Sequence, residues 1–202
     1  MKKILSVLLC TCAGFVWSSG SGETLQHKLN ALSTMSADFN QVVKAKNREV
    51  SRSSGSMALQ RPGLFRWSTK EPMEQLIIAD GQNMWIYDVD LEQVTQKKQE
   101  KGMGGTAALF LSGYNDSLTK DFDVTERTEG NTSVFDLKAR ASKENIQRIK
   151  LVFSKDKLTG LDLYDQLGQI TVVKLVQIKS NLKLDNKLFQ FHPPKGVDVV
   201  KQ

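Results

Sequence analysis

Along most of this chain apolar residues recur at every second position, in short runs closed by turn residues. Met35, Ala37, Phe39, Gln41 and Val43 alternate in this way, and so do Ile149, Leu151 and Phe153. A period of two places alternate side chains on one face of a strand. Asp80-Gly81, Glu129-Gly130-Asn131 and the Asp165 to Gly168 stretch supply the turns, Asp80-Gly81 being a strong hairpin signal. Strands are expected over 35–43, 51–60, 75–79, 84–87, 91–96, 122–127, 133–139, 148–154, 161–164 and 170–179. Residues 44–48 and 155–160 are expected to turn. Many short strands at hairpin spacing, with few helical patterns, favour an antiparallel sheet that curls. A curled sheet has an inside, and helices over its mouth would enclose a cavity.

Helical patterns are few. Leu25, Leu29 and Leu32 give residues 24–34 a narrow apolar stripe. After the GMGG break at 102–105, residues 106–118 carry Ala107, Ala108, Leu109, Phe110 and Leu111 in succession. Such a helix is ordinarily buried in a core, and it equally suits a lid over a hydrophobic cavity. Residues 142–145 are placed to nucleate one helical turn.

The stretch 57–67 stands out. In an extended strand Met57, Leu59 and Arg61 point one way, and Ser56, Ala58 and Gln60 the other. A guanidinium in line with an apolar row needs acceptors for its donors. Pro62 and Gly63 then turn the chain, and beyond them Phe65 and Trp67 share a face with Arg66 opposite. Taken alone, Arg61 also fits a strand-end arginine with its head in solvent.

The N-terminus has the form of a secretory signal: Lys2 and Lys3, an apolar run over 4–17, then Ser18, Ser19, Gly20 and Gly22. The run is short for a membrane span. The expected division is a cleaved signal at 1–22, cut near Gly20 or Gly22, and one domain at 23–202, a length suited to a single core. The only two cysteines, Cys10 and Cys12, fall inside the signal, preceded by Leu9 and Thr11 rather than by the small residue that lipid attachment requires. The exported, soluble chain would then hold no thiol chemistry and no disulfide. The formal charge is +6, or +4 without Lys2 and Lys3. It is spread over the surface apart from Lys97, Lys98 and Lys101, expected in one loop, and suits a solvated surface or attraction to an anionic partner. No nucleic-acid module is recognisable.

Catalysis is hard to build from these residues. The two histidines, His27 and His192, have no metal spacing, so neither metal nor cofactor is expected. There is no G-x-S-x-G elbow, Asp88 and Asp90 fit turn chemistry, and GMGG lacks the Gly-Lys-Ser/Thr ending of a phosphate loop.

Several segments in order resemble the LolA family of periplasmic lipoprotein carriers: ADFNQ (37–41), RPGLFRW (61–67), DG…MWIYD (80–88), LEQVT (91–95), DQLGQ (165–169) and FQFHPPKGVDV (189–199). The resemblance implies an unclosed antiparallel β-barrel whose hydrophobic interior lies under an α-helical lid, which moves 106–118 toward lid. It implies that Arg61 is a latch bonded to lid carbonyls at Leu29, Leu111 and Ser112. Met57, Leu59, Phe65, Trp67, Leu109 and Phe110 would line the acyl-chain cavity, with Phe65 also at the contact with the release complex. Arg66 receives no role. The implied partners are acylated lipoproteins as cargo, an inner-membrane ABC-type release complex and an outer-membrane receptor, and a hand-to-hand shuttle is by default a monomer. A buried methylene is worth about 0.8 kcal/mol, so one long acyl chain costs roughly 12 kcal/mol to leave in water. Competing readings are the outer-membrane receptor LolB, a periplasmic lipid-binding sensor domain and a lipid hydrolase. The first is opposed by the failed lipid signal, the second by the lack of further domains, the third by the missing nucleophile.

Overall fold

Among the described residues, twelve strands form one sheet in the order β12-β6-β5-β4-β3-β2-β1-β11-β10-β9-β8-β7, whose end strands do not pair with each other. The computed structural model describes residues 20–99, 111–112, 118–141 and 146–202. The strands are β1 (Thr34–Ala45), β2 (Arg48–Gln60), β3 (Leu64–Glu71), β4 (Gln75–Asp80), β5 (Asn83–Asp88) and β6 (Gln93–Lys98), then β7 (Phe122–Glu129), β8 (Thr132–Ala139), β9 (Ile146–Ser154), β10 (Lys157–Asp165), β11 (Gln169–Ser180) and β12 (Asp198–Lys201). All pairings are antiparallel except β12 with β6. The described helices are α1 (Ser21–Asn30) and the single turn α2 (Leu118–Asp121), with a 3-10 turn at Asn186–Phe189. This is the unclosed barrel with helical cover expected from the sequence.

Cross-strand register carries the alternation into rows. Leu59, Phe65, Ala79 and Met84 pair successively across β2 to β5, and Met57, Trp67, Ile77 and Ile86 form the next row. On the other half Val173, Leu161, Leu151 and Phe135 line up across β11 to β8. Most of these residues, with Leu25 and Leu29 of α1, belong to one buried cluster on the concave face. The convex face of β3 to β6 is covered too: Phe191 packs on Trp85 and Tyr87 at centroid distances of 5.7 and 5.9 Å, and Phe189 is buried. That C-terminal strap explains why Ala58, Ile78 and Val94, which face away from the main cluster, are buried as well.

Some boundaries depart from expectation. The first helix spans 21–30 rather than 24–34, because its end is taken apart by side-chain bonds. Asn181 donates to Ala31 O at 2.9 Å and accepts from Ser33 N at 2.9 Å, releasing the chain into β1. The expected strand 91–96 is β6 at 93–98, since Leu91 and Glu92 lie in a turn and Glu92 has φ of 47°. Lys97 and Lys98 therefore belong to a strand, not a loop. The turn expected at 155–160 is confined to Lys155 and Asp156, and β10 begins at Lys157. The expected signal up to residue 19, the GMGG break, Lys101 and the turn at 142–145 lie outside the described residues, as does most of 106–118.

Candidate functional site

The β2–β3 turn, Arg61-Pro62-Gly63, stands at the mouth of the sheet directly beyond the pair Gln60 and Leu64. Arg61 is past the end of β2, so its side chain is freed from the strand's inward row and reaches the C-terminal part of α1. Its Nη1 donates to Leu29 O at 2.5 Å. That carbonyl lies in the last turn of α1, where carbonyls carry partial negative charge; it accepts from Leu32 N at 3.1 Å, and its second lone pair takes the guanidinium donor. The backbone of the turn is fixed on further sides. Arg61 N donates to Ser33 O at 2.8 Å, and Gly63 N donates to Ser112 O at 3.0 Å. Gly63 has φ of 79°, which a glycine adopts without a Cβ penalty.

Inside the sheet, Met57, Leu59, Phe65 and Trp67 meet in the same cluster as Leu29 and Leu111. Leu59 and Phe65 have no exposed surface, and Trp67 stacks on Phe39 with centroids 3.8 Å apart and planes at 21°. Phe39 can lie there because Gly55 is its partner on β2; a Cβ at Gly55 would stand 1.9 Å from Ser68 O. Of the residues expected at the latch, Leu29 accepts from the Arg61 side chain, Ser112 accepts from the turn backbone, and Leu111 is buried against the cluster. Leu109 and Phe110 lie outside the described residues.

α1 is held at both sides of the sheet. Leu25 and Leu29 pack into the concave face, and Lys28 pairs with Asp156 at 3.0 Å. Arg66, given no role by sequence, donates from Nη1 to Leu188 O at 3.2 Å and so ties the C-terminal strap to the back of β3. Burial lowers its pKa from the ordinary arginine value. Sequence reasoning also missed Gln99, whose Nε2 donates to Gly63 O at 2.8 Å and whose Oε1 accepts from Gly81 N at 2.9 Å. Nothing in the polar run Lys97-Lys98-Gln99 marks it as buried. Among the described residues no group of three or more His, Cys, Asp or Glu is placed to hold a metal ion. No helix among them is long and apolar enough to cross a membrane.

The site is thus an open sheet with an apolar concave face, covered by a helix that one arginine ties to the rim. The chain belongs to the family described as Outer membrane lipoprotein carrier protein LolA, whose sequence model matches residues 30–192. An outer-membrane lipoprotein carrier protein of Legionella pneumophila (strain Corby) is 71% identical over 202 residues, covering 100% of both chains. One from Dechloromonas aromatica (strain RCB) is 34% identical, covering 99% of this chain and 97% of its own. Among solved structures, an uncharacterized conserved protein from Thermus thermophilus superposes with a TM-score of 0.54 at 13% identity, covering 89% of this chain and 99% of its own. MucB superposes with a TM-score of 0.51 at 13% identity, covering 89% of this chain and 65% of its own. At such identities these two share the fold alone.

Proposed function

We propose that this chain is a periplasmic carrier of acylated lipoproteins. It takes them as an inner-membrane ABC-type complex releases them, shields their acyl chains between the concave face and its helical cover, and delivers them to an outer-membrane receptor. Residues 1–22 serve as the export signal and 23–202 as the carrier domain, which acts as a monomer without catalysing a reaction. The observation that carries this reading is the bond from Arg61 to Leu29 O, which joins the rim of the sheet to the helix covering its apolar face. Met57, Leu59, Phe65 and Trp67 are satisfied by one another in this arrangement. Acyl chains enter when α1 lifts and these side chains part.

The energetics suit a shuttle. Sequestering a long acyl chain is favourable by roughly 12 kcal/mol in area terms, which alone would make release slow. A latch that favours the closed, empty state lowers the apparent affinity by the fraction of molecules that are open. The carrier can then pass its cargo on without an energy source of its own.

The test is release of lipoprotein from spheroplasts incubated with the purified processed chain. Acylated lipoprotein is expected in the supernatant as a complex with the carrier. Absence of release, with membranes from the source organism and a working carrier alongside, would remove the reading.

A further inference from the structure

We propose that Gln99 is a positioning residue for the latch: it sets the Arg61–Gly63 turn where the guanidinium meets Leu29 O. The inference rests on the closed-state reading above. Gln99 and Ser112 are the only buried polar residues among the described ones, and both bond to Gly63. A buried amide requires partners for its donor and its acceptor. Gln99 finds them in two turns, Gly63 O of β2–β3 and Gly81 N of β4–β5. Its own backbone N–H donates to Gln82 O at 2.9 Å. Gln99 is thus fastened to the β4–β5 turn and reaches from it to the β2–β3 turn.

What this bridge adds is orientation. The two turns are already brought side by side by the ladder, whose pair Leu64 with Asp80 stands next to both. The ladder ends at Gln60 and Leu64; beyond it Ser33 O holds Arg61 N, and the Gly63 peptide groups are left to other partners. Gly63 O is anchored by Gln99 and Gly63 N by Ser112, so the turn is held from opposite sides. Hydrogen bonds weaken steeply with misalignment, and a planar guanidinium tolerates it poorly. Losing the Gln99 anchor lets the turn tilt and spoils the Arg61 bond without removing a ladder bond.

The experiment is a double-mutant cycle on the processed chain, with spin labels on cysteines placed at exposed His27 on α1 and Lys70 on β3. Pulsed dipolar spectroscopy reads the ratio of open to closed distances. Gln99→Glu keeps the acceptor for Gly81 N and loses the donor to Gly63 O. Gln99→Met loses both at similar length, and carries the same cycle if the glutamate does not fold. Either substitution is expected to raise the ratio of open to closed about fivefold to tenfold. In an Arg61→Leu background the same substitution is expected to add nothing, which a general loss of stability would not produce. If Arg61→Leu opens the chain and both Gln99 variants leave it closed, the positioning role is overturned and the latch stands. Additive effects overturn it equally. If Arg61→Leu itself changes nothing, the latch reading falls and the role of Gln99 falls with it.

Discussion

Replacing Arg61 by leucine keeps most of the aliphatic stem and removes every side-chain donor. The bond to Leu29 O joins a charged donor to a part-buried carbonyl at 2.5 Å, and such bonds contribute about 1.5–3 kcal/mol net. If that energy is present only in the closed state, its loss raises the ratio of open to closed roughly tenfold to hundredfold. Apparent affinity for an acyl chain rises as the open fraction rises, until most molecules are open. Arg61→Leu is therefore expected to load cargo well and to surrender it poorly. The assay is transfer of preloaded lipoprotein to membranes bearing the receptor, scored as the fraction left on the carrier, with the melting temperature measured alongside. A variant that folds and transfers at the native rate would refute the reasoning. So would one that loads less cargo, because the arginine would then assist binding rather than oppose it.

Phe65→Glu puts a carboxylate into a fully buried position beside Trp67, at a centroid distance of 6.1 Å from Phe65 in the native chain. Lipoprotein uptake should fall sharply; unchanged uptake would show that Phe65 does not line the acyl path. Gly55→Ala drives a methyl group onto the Ser68 backbone beneath Phe39, and a loss of about 2–4 kcal/mol is expected in urea unfolding. A near-neutral result would mean that the β2–β3 ladder yields there. A hydrogen bond from Arg148 holds the Asp136 carboxyl below its ordinary pKa, against some desolvation. A depressed folded pKa gives stability that is present above the unfolded value and lost as pH falls through the folded one. Asp136→Asn should thus lower the melting temperature at neutral pH, with the gap closing in acid; a gap independent of pH would exclude the linkage.

The strands were legible because their signal is local. Alternation in Met35 to Val43 and in Ile149 to Phe153, with glycine at positive φ in the turns at Gly81, Gly130 and Gly168, is enough to specify hairpins and a two-faced sheet. Arg61 was conspicuous for the same reason, as a charge at the end of an apolar row. The pairing of its side chain was not readable from spacing, because its acceptor is a main-chain carbonyl and every residue has one. Leu29 qualifies through its place at the end of α1 and not through its side chain, and only the resemblance to a family pointed to it.

Other features had no local signal. Gln99 sits in a polar run that looks solvated, and becomes buried because two turns from distant parts of the chain close around its amide. Arg66 and Phe191 acquire partners only when the C-terminal strap crosses the back of β3 to β6. β12 pairs in parallel with β6, which no hairpin rule anticipates. The sequence by itself determined the strand periodicity, the turns and the apolar concave face, since these follow from side-chain alternation and backbone preference. The tertiary structure decided which carbonyl meets Arg61, what holds its turn and what covers the convex face, because those contacts join groups far apart in the chain and depend on how the sheet curls.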